Sequence, residues 1–230
     1  MNWEALALTL RLAFVVSVVL LATGLPIAHW VAFSRWRFKF LIEAIVAMPL
    51  VLPPTVLGFY FLLLFGQHST AGRFLSHVFG FTLPFTFAGL VVASAIYSLP
   101  FAVQPFAAGF AAVDRKLIHA SALLGVSDWR TFFRLVLPLS KRALITGFVL
   151  SFAHTLGEFG VVLMVGGNIP GVTRTISIAI YDDVQALDYQ SAGINALALL
   201  IFAFVILSAV YAVNRRTTDL WTAGEQVGDG

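Results

Sequence analysis

The chain contains no cysteine, which rules out a disulfide framework and thiolate metal sites but leaves the compartment open. Charge is scarce too. Asp, Glu, Lys and Arg make up 11% of the 230 residues, against 60% hydrophobic residues. Soluble domains carry about 25% charged and about 45–50% apolar residues. The surplus apolar surface exceeds what one internal core can hide, so it must face lipid. The net charge of +3 is too small to point to nucleic acid. No glycine is followed by lysine, so the Gly-x4-Gly-Lys-[Ser/Thr] phosphate loop is missing and ATP cannot be held by that route. No Ser/His/Asp elbow and no cluster of metal ligands stands out. We therefore expect no catalytic residues, no metal and no cofactor in this chain.

What the chain does have is long apolar runs. A helix needs about 20 such residues to cross a bilayer. Five candidate spans follow, at 9–33, 41–65, 84–111, 142–166 and 191–213. The expected fold class is an all-α polytopic membrane protein, with a transmembrane domain over 9–213 and a short cytoplasmic tail over 214–230. The first apolar run begins after Glu4, not after a basic cluster, and continues past Gly24 and Pro26. It reads as an uncleaved span rather than a signal peptide. The 22 phenylalanines read as packing and lipid-facing surface, not as a cofactor box.

Lys and Arg accumulate on the cytoplasmic side of membrane proteins. The segments at 34–40 and 112–141 and the C-terminal tail carry Arg35, Arg37, Lys39, Arg115, Lys116, Arg130, Arg134, Lys141, Arg142, Arg215 and Arg216. The opposite side carries only Arg11, Arg73 and Arg174. Eleven against three places the N-terminus outside, and the 112–141 segment and C-terminus in the cytoplasm.

The second span holds Pro49, Pro53 and Pro54 at mid-membrane. Each proline lacks an N–H and frees a carbonyl one turn earlier, and such groups need a partner inside protein or water. This span must be kinked or broken and packed within a bundle, so the three prolines are candidates for a translocation path or gate. Pro100 and Pro105 should do the same to the third span.

Residues 114–140 read as a helix-turn-helix. Asp114 can cap a helix running to Leu124, Gly125 can take the left-handed position that ends it, Ser127 or Asp128 can cap a second helix, and Pro138 stops that one. Leu117, Ala120 and Leu124 share one face; Trp129, Phe132, Phe133 and Val136 share another. The unit is too short to span and too apolar to stand free in water. A partner protein or the lipid surface must cover it.

This segment resembles the cytoplasmic loop of ABC importer permeases, with the pattern Glu-Ala-Ala, three residues, Gly, nine residues, Ile-x-Leu-Pro. The matching positions here are His119, Ala120 and Ser121, then Gly125, then Leu135, Leu137 and Pro138. His119 and Ser121 depart from the pattern, so any contact specific to the usual carboxylate is not carried over. Leu156-Gly157-Glu158-Phe159-Gly160 and the stretch from Asn168 to Ile176 resemble signatures of sulfate and molybdate permeases. Pro49 to Gly58 is similar to molybdate permeases in particular. The resemblance implies a type I ABC importer permease core of the molybdate/sulfate/tungstate group with a cytoplasmic coupling helix-turn-helix. It further implies a second copy of the chain, cytoplasmic ATPase subunits that bind ATP-Mg, an extracytoplasmic oxyanion-binding protein, and surrounding membrane lipid. Transport of molybdate by alternating access is the function it implies, with sulfate, thiosulfate or tungstate as alternatives.

Several charged groups fall in or near the membrane. Ionisable groups there usually face the bundle interior. His154 and Glu158 are spaced i, i+4, which on one helix lets them pair, as packing or as part of a gate. Glu43 can pair with Lys39. Arg174, in the external loop, is a candidate to attract an anion or a binding protein, or is an ordinary loop charge. An ion-coupled secondary transporter is the rival reading, but no repeat relates the two halves. A membrane scaffold is a third, which the broken helices disfavour.

Overall fold

The computed structural model describes the backbone of residues 1–225 and the side chains through 212, apart from those of Phe79 and Val210. Among the described residues there is no β-strand; the chain is a bundle of helices. Three helices are long and apolar enough to cross a membrane: α1 (Trp3–Phe33), α5 (Phe87–Ala111) and the Tyr189–Ala209 part of α12 (Tyr189–Glu225). They correspond to the first, third and fifth expected spans. Helix α12 passes residue 213 without a break and runs to Glu225.

The second expected span is broken. Helix α2 (Lys39–Ala47) ends in a tight turn at Met48–Leu50, and α3 (Pro54–Phe65) restarts at an angle of 111°. Three prolines in six residues remove the donors a continuous helix would use. The fourth expected span is also interrupted, which the apolar run did not reveal. Helix α9 (Lys141–Leu156) stops at Gly157, and α10 (Gly160–Gly166) begins three residues later. Asp128–Leu139 and Lys141–Leu156 form a second bent pair, at 72°. The first member of that pair carries Asp128, Arg130 and Arg134, all exposed, charges that are costly inside a bilayer. Pro100 and Pro105, by contrast, are absorbed within a continuous α5.

The core lies where α1, α5 and α9 meet. Leu12, Val16 and Leu20 of α1 pack with Val103, Phe106 and Phe110 of α5 and Val162 of α10. One stripe of α1 is buried, and the opposite stripe, with Phe14 and Val18, is exposed. That leaves an apolar surface for lipid or another subunit.

Two connections hold helices that the apolar pattern did not mark. Helix α4 (Thr70–Phe79) lies in the 66–83 connection, capped by the Ser69 hydroxyl, which accepts from the Gly72 N–H at 2.8 Å. Helix α11 (Ile176–Gln185) lies in the 167–190 connection. Both are too short for a span signal.

Candidate functional site

The structure brings the breaks in the second and fourth spans together. Helices α3 and α10 pack side by side. A Cβ at Gly160 would lie 2.8 Å from the Cβ of Pro54, and a Cβ at Gly58 would lie 2.6 Å from that of Met164. Only glycine allows the two half-helices to approach this closely. Pro49 is buried, while Met48, Leu50 and Val51 at the break are exposed, Val51 at 84%. The broken segment therefore offers an apolar edge outward. Behind it, Leu57, Phe61, Ala93 and Val161 line a small apolar cavity of about 100 Å³.

His154 and Glu158 do not pair. The stop at Gly157 removes the shared helical face on which the i, i+4 pairing depends. His154 instead turns to α5. Its ring stacks on Phe101 with centroids 4.0 Å apart and lies 4.8 Å from Tyr97. Its Nδ1 is 2.9 Å from the Ser98 Oγ, which is 3.1 Å from the Thr155 Oγ1. The Thr155 hydroxyl donates to the Ser151 carbonyl at 2.9 Å. Each hydroxyl has one proton, so the chain runs in one direction and assigns the imidazole proton to Nδ1. Glu158 is 4% exposed, and both its carboxylate oxygens are buried without a hydrogen-bond partner. Ser94 lies close enough to interact with it, yet closes no hydrogen bond.

The 112–141 segment folds as the expected helix-turn-helix. Asp114 caps α6 (Arg115–Leu123) by accepting from the Lys116 N–H at 2.8 Å. Gly125 has φ of +74°, the left-handed conformation that glycine adopts without strain. The second arm runs on as α7 (Asp128–Thr131), a π-helical stretch (Phe132–Val136) and α8 (Leu137–Leu139). The wide turn ends just before Pro138, whose ring cannot accept a regular turn beneath it. The Ser121 and Thr131 hydroxyls bridge the two arms at 2.7 Å.

The apolar faces divide differently from the expectation. Leu124 is 83% exposed and Leu123 90% exposed, with Trp129 and Phe133 also open. Phe132 and Val136 are buried. His119, Ala120, Gly125 and Pro138 lie on the surface; Ser121, Leu135 and Leu137 are half-buried. The tip of the unit thus carries an uncovered apolar knob, and its base plugs into the bundle. Phe132 is the plug. Its ring lies 4.6 Å from that of His29 and 5.3 Å from that of Phe110. His29, which the sequence does not single out, lines a cavity of about 220 Å³ with Phe33, Ile118, Asp128 and Phe132. Its only sequence signal is a polar ring at the C-terminal end of an apolar run.

Arg174 is not a free charge. Its guanidinium lies 3.5 Å from the Asp182 carboxylate and its Nε–H donates to Asn168. Asn168 in turn donates to Asp182 at 2.6 Å. The charge is spent on holding the loop to α11. Glu43 and Lys39 pair at 3.6 Å, as their spacing predicts. Among the described residues, no group of three His, Asp or Glu side chains could hold a metal ion.

A bundle with two broken spans and a plugged helix-turn-helix is the architecture of a type I ABC importer permease. Residues 24–219 match the family described as binding-protein-dependent transport system inner membrane component, and the chain belongs to that family. It is 50% identical over 211 residues to the molybdenum transport system permease protein ModB of Azotobacter vinelandii, covering 92% of this chain and 93% of that one. It is 35% identical over 207 residues to ModB of Escherichia coli K12, covering 90% of each. The sulfate transport system permease protein CysT of the same strain is 32% identical over 214 residues, 92% of this chain and 76% of that protein. Among solved structures, the inward-facing MetNI methionine ABC transporter superposes with a TM-score of 0.72 at 17% identity, covering 92% of this chain and 94% of that one. A bacterial importer of the acidic polysaccharide alginate superposes at 0.75 with 16% identity, covering 93% and 78%.

Proposed function

We propose that this chain is the permease subunit of a molybdate importer. In this reading two copies enclose a path, with the N-terminus outside and the C-terminus in the cytoplasm. Cytoplasmic ATPase subunits, which bind ATP-Mg, grip the knob at Leu123, Leu124 and Trp129. An external binding protein delivers the oxyanion to the opposite side. ATP binding moves the helix-turn-helix, and Phe132 passes that motion to α1 and α5 through His29 and Phe110. The bundle then alternates between two discrete arrangements, a two-state element biased from a distant site.

The observation that carries the reading is the knob itself. Two leucines at more than 80% exposure beside an open tryptophan form a surface that needs a partner. Molybdate is favoured over sulfate by the 50% identity to a molybdenum permease, against 32% to a sulfate permease. The residues at the two breaks, 48–54 and 157–160, include no Lys or Arg, which suits a system whose selectivity lies in the binding protein.

The test is uptake of labelled molybdate into cells lacking the gene and into cells with it restored, against excess sulfate and excess tungstate. Restored uptake that resists sulfate and yields to tungstate supports molybdate. Uptake abolished by sulfate, or entry of sulfate alone, assigns the sulfate alternative.

A further inference from the structure

The outer part of α1 carries a pair of opposite charges that the transport reading leaves unused. Glu4 and Arg11 stand on the exposed stripe, seven residues or about 10 Å apart along the axis. A cavity of about 330 Å³ opens between them, with Leu8, Phe87 and Gly171 in its wall. The Arg11 guanidinium lies over the Phe87 ring, 4.7 Å from its centroid. Glu4 lies against Gly171, where a Cβ would come within 2.7 Å of its Oε1. The two charges form no ion pair with each other.

Depth in the bilayer follows from the sequence. From Leu12 to Ser34 there is no Asp, Glu, Lys or Arg. Those residues span about 34 Å as helix, close to the roughly 30 Å of a hydrocarbon core. Arg11 therefore marks the boundary of the core. Helical side chains lean toward the N-terminus, so Arg11 reaches away from the hydrocarbon to phosphate depth, with Glu4 above it. Below Arg11 the same stripe continues as Phe14 and Val18, which are 57% and 44% exposed. The order along the helix is acid, base, apolar groove.

We propose that this cavity binds an amine-bearing zwitterionic phospholipid, with its phosphate on Arg11, its ammonium on Glu4 and an acyl chain along Phe14 and Val18. Charge complementarity selects a zwitterion, and the three N–H donors of an ammonium, which a choline lacks, select the amine because they can bond the Glu4 carboxylate directly. A phosphate next to the hydrocarbon and an ammonium outside it repeat the order of Arg11 and Glu4. A headgroup without an amine leaves Glu4 facing an anion. The assignment to the outer leaflet rests on the orientation given under the proposed function; the binding itself does not.

The experiment uses the purified, delipidated full chain in its complex. It is titrated with phosphatidylethanolamine, phosphatidylglycerol or phosphatidylcholine of identical chains, and bound lipid is counted by native mass spectrometry. Wild type retains phosphatidylethanolamine over the other two. Arg11→Gln weakens both phosphatidylethanolamine and phosphatidylglycerol by about tenfold, the size of a lost charge-assisted contact. Glu4→Gln weakens phosphatidylethanolamine alone and erases the preference. Should Arg11→Gln fail to assemble for want of its Phe87 contact, Arg11→Lys and Glu4→Gln carry the test. Equal retention of all three lipids by wild type overturns the proposal, as does an unchanged preference in Glu4→Gln. So does unaltered lipid binding in both variants together with weakened association of a soluble binding protein, which assigns the cavity to protein. Thiol labelling of Asn2→Cys in intact cells reads the orientation separately, and molybdate uptake does not enter the readout.

Discussion

Phe132 sets its ring edge-on to His29, with 4.6 Å between centroids and 79° between planes. That contact joins the helix-turn-helix to the C-terminal end of α1. An edge-to-face aromatic pair contributes about 0.5–1.5 kcal/mol beyond area burial. His29→Ala should therefore lower uptake per ATP hydrolysed by about two- to tenfold, while His29→Phe restores most of it. Paired uptake and ATPase measurements in proteoliposomes check this. A parallel fall in both activities would assign His29 to folding alone.

The surface knob and the buried plug should separate in mutagenesis. Leu123→Ser and Leu124→Ser are expected to abolish co-purification of the ATPase with little change in Tm, because both side chains are more than 80% exposed. Phe132→Ala should cost about 3–5 kcal/mol of stability, the usual loss for a buried phenylalanine, and so lower Tm. Pull-down and thermal unfolding of the same variants give both readouts.

Between the arms of that unit, the 2.7 Å hydroxyl bridge from Ser121 to Thr131 invites a double-mutant cycle. Ser121→Ala and Thr131→Val should each cost about 1 kcal/mol, and the double variant no more than either alone. Additive losses would mean that the bridge contributes nothing.

Gly58→Ala places a carbon 2.6 Å from the Met164 Cβ. Overpacking of this kind costs about 1–3 kcal/mol. Tm and uptake should both fall. Met164→Ala should not rescue either, since it keeps the offending Cβ, whereas Met164→Gly should recover part of the loss.

Glu158→Gln keeps the shape of a buried side chain that makes no hydrogen bond. The cost of burying an unpaired carboxylate is removed, and the two amide N–H donors that replace it lie near the Ser94 hydroxyl. Assembly and Tm are expected to hold or improve, with uptake retained. Complete loss of uptake by a normally assembled variant would place Glu158 in the transport step.

Much of this architecture is legible in the residues. Composition demands lipid, three apolar runs become the three long helices, and Pro53-Pro54 announces the break before α3. Asp114 and Gly125 mark out the first helix and the turn because capping and left-handed turns are local chemistry, whereas Pro138 does not stop the second arm, which runs through it to Leu139. The break at Gly157 was not legible. Its neighbours are apolar on both sides, and glycine alone does not stop a helix. The pairing of His154 with Glu158 failed for that reason: i, i+4 geometry exists only while the helix continues. For Arg174 the residues leave two readings open, an anion- or partner-attracting group and an ordinary loop charge, and only the fold shows that Asp182 and Asn168, eight and six residues away, hold it.

Sequence by itself determined which segments are apolar enough to cross a membrane, which connections carry positive charge and where the helix-turn-helix turns. These depend on transfer free energy and on local backbone rules, both set by neighbours in the chain. Tertiary structure decided which apolar side chains plug the bundle and which stay open. It also placed Gly160 on Pro54, turned His154 to Ser98, and left Glu158 without a partner. Those outcomes depend on packing between helices far apart in sequence, where one close approach or one buried hydroxyl outweighs spacing along the chain.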